Sequence, residues 1–362
     1  MSGVLFFSYS RDMNALEGLR LLFTKSKILG NMPEKATVAI KLHMGDPGDI
    51  RYIRPVFAWK VATLIKEYGG KPFLFDTVSA NPGNNKSAKN NTDTATINGF
   101  TRDTTGVPIV ITDNDGKFIN IPISNRVDDP SISNAEIPEK LVKSDVMIVL
   151  SHVKGYTFTG FGGAIKNLGT GCVSTRTKQG QNLVNSPKLK ENVECDGCTR
   201  CITECRAGAL TIVNNRVQKA EAKCTGCCTC YFTCPNEYWY LPKGARKKLQ
   251  VNIAHAAGAV LSAYKGQVIY VNFIQDVIPY CDYTAISAPP VIQDAGIMLS
   301  LDPVSIDKAS IDIIDMSPVI EPKATPKPPD ILGKIHNADS TIQLRTAEKL
   351  NIGEMNYSIV SV

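Results

Sequence analysis

The chain is poor in histidine, with four in 362 residues, and has only two tryptophans. No apolar run approaches the roughly 20 residues that a membrane-spanning helix needs. Neither a Walker-type loop nor a G-x-G-x-x-G fingerprint occurs, so neither of those phosphate-cradling devices is expected. The opening Met1-Ser-Gly-Val-Leu-Phe-Phe-Ser-Tyr-Ser10 lacks the basic flank, long apolar stretch and small-residue cleavage site of a secretory signal. A cytoplasmic setting without a membrane span is the expectation. Hydrophobic content of 43% and charged content of 20% are ordinary for a protein with a sizeable core. The length suggests one large domain plus something small.

Cysteine is not scarce. There are eleven, and eight fall into two runs. The first is Cys195-Asp-Gly-Cys198-Thr-Arg-Cys201-Ile-Thr-Glu-Cys205, and the second is Cys224-Thr-Gly-Cys227-Cys228-Thr-Cys230-Tyr-Phe-Thr-Cys234-Pro235. Both read C-x2-C-x2-C-x3-C, which resembles the runs of bacterial-type two-cluster ferredoxins. Two-residue gaps let three thiolates converge from a tight loop. In that pattern the fourth cysteine is carried away on a helical turn and ligates the other cluster. The resemblance implies one 4Fe–4S cluster on Cys195, Cys198, Cys201 and Cys234, and another on Cys224, Cys227, Cys230 and Cys205. Structural zinc is the competing reading, weakened by the tandem arrangement and the closing Cys-Pro. Arg206 departs from the pattern, standing where the first run should have its proline. Cys228 is surplus to the spacing and reads as a small buried thiol. A disulfide framework is not expected in a chain this long and core-rich. Oxygen-sensitive clusters point to the cytoplasm of an anaerobe. Two oxidised clusters at about −2 each would bring the formal +6 to about +2, which argues against nucleic acid as a partner.

On both sides of the cysteines the sequence alternates strands and helices. Strands are expected at 37–42, 71–76, 145–150 and 267–273. Helices are expected over 55–68, ending at Gly69-Gly70 with Val56, Ala58, Val61 and Ile65 on one face, and over 251–264 and 304–314. Residues 79–94 read as a long loop, 137–143 as closing a short helix, and 318–329 with five prolines as an extended strap. A last helix over 341–350 and a strand over 357–362 complete the pattern. The expected class is α/β, a mostly parallel sheet flanked by helices, interrupted by a small α+β ferredoxin-like domain. Its boundaries are an α/β first part over 1–190, the insert over 191–240, and an α/β second part over 241–362. In the insert, Ala209 to Gln218 reads as a hairpin turning at Asn214-Asn215. Fifty residues bury little apolar surface, so clusters would have to staple it.

Further segments resemble the domain-of-unknown-function 362 family, in its form with an inserted ferredoxin module. They are Lys41-Leu-His43-Met-Gly45, Ser151-His152-Val-Lys154-Gly155, Gly160-Phe-Gly-Gly163-Ala-Ile-Lys166-Asn167-Leu-Gly169, Asn272-Phe-Ile-Gln-Asp276, Cys281-Asp282, Asp294-Ala-Gly296 and Asp302-Pro-Val-Ser-Ile-Asp307. Tyr156 departs from the pattern, where a histidine would be expected. The resemblance implies a fold and an iron–sulfur protein, with no substrate attached.

His43 and His152 each follow a strand and so belong at the carboxyl edge of a parallel sheet, where open α/β sheets bind ligands. With Lys41 and Lys154 two residues away, His43, His152 and Lys154 are the catalytic candidates; satisfied structural histidines are the bland alternative. The glycine segment, with Gly162, Gly163 and Lys166, is a candidate anion site if it opens a helix with free N–H groups. Close helix–sheet packing is its alternative. Cys172, Cys281 and Asp282 would add metal-binding character if they met the histidines. His255 and His336 read as structural. The basic run Lys243 to Lys248 reads as a solvated face, or as a guide for an acidic redox partner. Two functions follow. One is an electron-transfer protein relaying low-potential electrons to or from a partner oxidoreductase. The other is a ferredoxin-coupled reductase, or ligand-activating enzyme, acting on a small anionic substrate in the α/β cleft.

Overall fold

A computed structural model of the chain describes all residues except 1, 81–86, 113–115, 192–194, 215, 283–285 and 322. The central sheet has eight strands: β1 (Ser2–Ser8), β2 (Thr37–Lys41), β3 (Lys71–Thr77), β4 (Ile109–Thr112), β5 (Val146–His152), β6 (Gln267–Ile274), β7 (Gly296–Ser300) and β8 (Tyr357–Ser361). Their order is β8-β1-β7-β6-β5-β2-β3-β4. β6, β5, β2, β3 and β4 are mutually parallel, and β8 runs parallel to β1. Only β7 opposes its neighbours on both sides. The sheet is therefore mixed but mostly parallel, as expected for a chain whose inner strands are continuous apolar runs.

Alternation along each strand feeds two cores. Val38, Ile40, Leu74, Ile148, Leu150, Val271 and Phe273 face one layer, with α1 (Ala15–Ser26) and α2 (Pro55–Glu67) over them. Ala39, Phe75, Met147, Val149 and Tyr270 face the other. That second layer is covered by α3 (Ala164–Gly171), α4 (Ala245–Ala263), α5 (Pro303–Met316) and α6 (Ile342–Lys349).

Several sequence expectations need correction. The stretch read as loop over 79–94 runs into a helix, Ala88–Ile97, which opens with the Ser87 hydroxyl accepting from Asn90 N at 3.2 Å; residues 81–86 of that reading lie outside the described residues. Its apolar content is too low for periodicity to reveal it. Val56 is exposed, while Phe57, Ala62 and Leu64 join the buried face of α2. Residues 134–138 are a strand paired with Phe118–Pro122, which leaves only Glu139–Val142 helical. Helix α4 begins at Ala245 and so includes most of the basic run. There Lys248 pairs with Asp129, and Arg246 donates to the carbonyl of Asn337 at 3.1 Å.

The cysteine-bearing segment leaves and rejoins the large body through a two-stranded stem, Lys188–Leu189 with Trp239–Tyr240. Beyond the stem a hairpin, Leu210–Val213 with Arg216–Lys219, packs on two short helices, Arg200–Thr203 and Thr229–Thr233. A small core of its own joins Cys201, Leu210, Val217, Tyr238 and Trp239.

Candidate functional site

β2, β3, β5 and β6 all point their carboxyl ends toward one edge, and two similar charge clusters are built there. In the first, Lys41, the last residue of β2, places its ammonium 3.0 Å from Asp76 on β3. His43 Nδ1 lies 3.3 Å from the same carboxylate, and Thr77 N donates to it at 2.8 Å. Burial opposes the charge on Asp76, but Lys41 and His43 overcome it and hold the carboxyl down at about 2. Burial likewise works against a charged His43, yet Asp76 raises its pKa above the ordinary value. A further cation, Lys178, is 5% exposed and donates to Thr77 Oγ1 at 2.7 Å and to the Val78 carbonyl at 2.6 Å. Burial pushes its pKa down to about 8.

The second cluster mirrors the first. Lys154 pairs with Asp282 and also donates to the Arg51 carbonyl. His152 Nδ1 stands 3.6 Å from Asp282, while Nε2 faces the Gln275 carbonyl at 2.6 Å. The carboxyl of Asp282 is buried, but the charges of Lys154 and His152 hold it well below the usual range. Ordering this loop needs a glycine. A Cβ on Gly155 would sit 2.1 Å from the Pro279 carbonyl oxygen, so only glycine lets the Lys154–Tyr156 strand lie against that backbone.

His43, His152, Lys154, Gly162, Gly163 and Lys166 line one cleft of about 60 Å³, together with Ser151, Asn167, Cys281 and Asp282. His152 is the last residue of β5 rather than the first beyond it. The glycine segment differs from expectation in a way that matters. Gly160–Gly162 is a strand hairpinned to Lys154–Tyr156, and only then does α3 begin. The N–H groups expected to be free at its start are taken: Ala164 N and Ile165 N donate to the two oxygens of Asp307, at 2.7 and 2.9 Å. Asp307 sits where a Cβ on Gly163 would be, 2.3 Å away, which is why that position is glycine. A protein carboxylate thus fills the helix end assigned to an anion by sequence reasoning. Lys166 instead lies 3.7 Å over the ring of Tyr156 as a cation–π pair.

Two partners were missed. Asp76 had a legible signal, since it closes the strand expected over 71–76 at the ligand-binding edge. Lys178 had none, because it sits in a polar helix, Thr175–Asn182, whose docking is purely tertiary. The other two histidines each donate from Nε2 to a backbone carbonyl, His255 to Val127 and His336 to Pro279, contacts in keeping with a structural role. Cys172 is fully buried, and burial raises its thiol to about 12.

The cysteines of the excursion form two groups. Cys195, Cys198, Cys201 and Cys234 line one enclosed hollow with Tyr238 and Trp239. Burial raises the pKa of Cys201, and the neighbouring charges that add to the rise are those of Cys234, Cys195 and Cys198. Burial raises that of Cys230 to about 12, with added repulsion from Cys227, Cys224, Cys201 and Cys205. Backbone N–H groups already point at three of these sulfurs: Ala209 N at Cys205, Gly226 N at Cys224 and Tyr238 N at Cys234, at 3.3, 3.5 and 3.4 Å. All eight thiols are free of disulfides. Among the described residues no group of three or more His, Cys, Asp or Glu side chains is arranged to hold a metal ion. A cubane spreads its four thiolates over four irons, so the sulfurs it needs stand further apart than the ligands of one ion. The donor set, the N–H groups aimed at sulfur and the apolar walls fit such a group.

One more cavity connects the two halves. A chamber of about 370 Å³ is walled on the body side by Tyr156, Phe158, Lys166 and Lys178, and on the excursion side by Arg206, Cys227 and Phe232. It shares Lys166, Thr170 and Cys281 with the smaller cleft.

A comparison with curated proteins finds no match. Among solved structures, a protein from Thermotoga maritima is similar at 13% identity and a TM-score of 0.40, covering 73% of this chain and 52% of that one. The lactate racemase apoprotein from Thermoanaerobacterium thermosaccharolyticum is similar at 12% identity and a TM-score of 0.37, covering 76% and 51%. The chain spans about half the length of either. Residues 38–312, which include every strand end of the cleft, match the domain of unknown function DUF362, and the chain belongs to that family.

Proposed function

We propose that the chain is an iron–sulfur electron-transfer protein with two 4Fe–4S clusters, one on Cys195, Cys198, Cys201 and Cys234, the other on Cys224, Cys227, Cys230 and Cys205. The observation that carries the reading is the crossing of the runs. Cys234, from the second run, joins Cys195, Cys198 and Cys201 of the first around one hollow. Zinc sites built separately from each run would not require that exchange. When bound, such clusters supply one-electron transfer. The chain's own residues would hold the thiolates in place, donate N–H groups to sulfur and, through Tyr238 and Trp239, keep water from one of the two groups. N–H···S contacts and limited hydration are the features by which a protein tunes such potentials. The redox partner would be another protein, in a cytoplasmic and oxygen-poor setting.

A second reading is favoured by a specific observation: Cys227 stands on the wall of the chamber that adjoins the His43, His152 and Lys154 cleft. That adjacency supports an oxidoreductase acting on a small anion, with the body as its catalytic part. Anaerobic purification followed by iron and sulfide analysis tests the first reading. Eight of each per chain are expected. Four of each, or zinc in a native preparation, defeats it.

A further inference from the structure

We infer that the chamber between the body and the cysteine-bearing excursion is a binding site for a small organic anion, one acidic group on an apolar or aromatic body. The inference deepens the second reading above and rests on it for any redox role, but not for binding. At about 370 Å³ the chamber lies within the usual range for small-molecule sites. Its charge is unbalanced: among the described residues Lys166, Lys178 and Arg206 line it against Glu204 alone. The decisive group is Lys178. Among the described residues no carboxylate forms an ion pair with it, because Asp76, the carboxylate whose charge it feels most, pairs with Lys41 and His43. A lysine ammonium carries three donors. Two are used, on Thr77 and Val78, which leaves one for a ligand. A cation this buried is costly unless something compensates it.

Aromatic rings line the same chamber. The Tyr156 and Phe158 rings meet edge-on at 5.6 Å, and Phe158 meets Phe232 of the excursion at 5.9 Å. Phe232 remains half exposed at the chamber mouth. Acid-seeking and apolar groups therefore line one space, and inorganic phosphate alone would use only the first of them. This differs from the site suggested by sequence: the start of α3 is closed by Asp307, and the cation with a donor to spare is Lys178 on the chamber wall.

The test uses the full chain, reconstituted anaerobically, with calorimetric titration at pH 7 by benzoate, benzamide and inorganic phosphate. Benzoate should bind once per chain and at least tenfold more tightly than benzamide. Lys178→Met should weaken benzoate at least tenfold. Thr170→Glu places a carboxylate in the shared wall, where the native hydroxyl bonds only its own helix at Lys166. It should abolish benzoate binding even if Lys178→Met does not fold. Phe232→Ala should weaken benzoate and leave phosphate unchanged. Absence of saturable benzoate binding, or equal affinity for benzamide, overturns the inference, as does undiminished binding in a folded Lys178→Met or Thr170→Glu protein. Iron content is counted in every sample. Low iron with intact benzoate binding would refute the clusters and uphold the site, whereas full iron without binding would do the reverse.

Discussion

Replacing Asp307 with asparagine should change the pH dependence of stability in a direction that the geometry fixes. Asp307 is fully buried on α5 and accepts from Ala164 N, Ile165 N and Asn272 Nδ2 at 2.7 to 2.9 Å. Burial wins over those three bonds and raises its pKa from 3.8 to about 6. The folded protein therefore keeps a proton that the unfolded chain releases. Its contribution to stability is present in full below about pH 4 and is lost as pH rises through about 6. At about 1.4 kcal/mol per pH unit the whole effect is about 3 kcal/mol, of which about 2 kcal/mol falls between pH 4.5 and 7. Urea unfolding followed by far-ultraviolet circular dichroism, under argon, at four pH values in that range gives wild-type stability relative to Asp307→Asn. Asp76 and Asp282 titrate in the opposite sense but are common to both proteins, so they cancel in the difference. The relative stability of the wild type should fall by about 2 kcal/mol as pH rises. A flat or rising difference would mean that the N–H bonds outweigh burial, and the reasoning that burial keeps Asp307 protonated would be wrong.

Cys205→Ser should damage the cluster anchored by Cys224, Cys227 and Cys230 and spare the one nearest in sequence, read as loss of about half the iron with one electron-paramagnetic signal retained. Loss confined to the other signal would break the crossed assignment. Cys228→Ser should keep all eight irons, because that thiol is buried and directed at the Asn185 and Gly226 carbonyls rather than at either group. Asp282→Asn leaves Lys154 buried beside a neutral side chain, so a loss of about 3–5 kcal/mol in urea unfolding is expected; a change under 1 kcal/mol would show that the pair matters little. Gly163→Ala must displace Asp307 and should destabilise the fold more than Gly30→Ala, where a Cβ meets nothing. Equal unfolding midpoints would contradict that packing.

The sequence by itself determined much of the large body. Its inner strands are continuous apolar runs, and such runs have few ways to be buried except between two helical layers. Strand ends were therefore legible, and with them the arrival of His43, His152 and Lys154 at one edge. The cysteine spacing marked which thiols gather in the excursion, because covalent spacing fixes which side chains can converge locally. Tertiary structure decided the rest. Helix Ala88–Ile97 is too polar to show a buried face, and β1 and β7 join the sheet through pairings with distant residues that no local pattern reveals. The closure of α3 by Asp307 joins positions more than 140 residues apart. Lys178 becomes a buried cation only because a polar helix docks beside β3. The chamber is a property of two surfaces, body and excursion, and neither carries it alone. Local periodicity reports which face a residue turns inward; it carries no record of what arrives from elsewhere to meet that face.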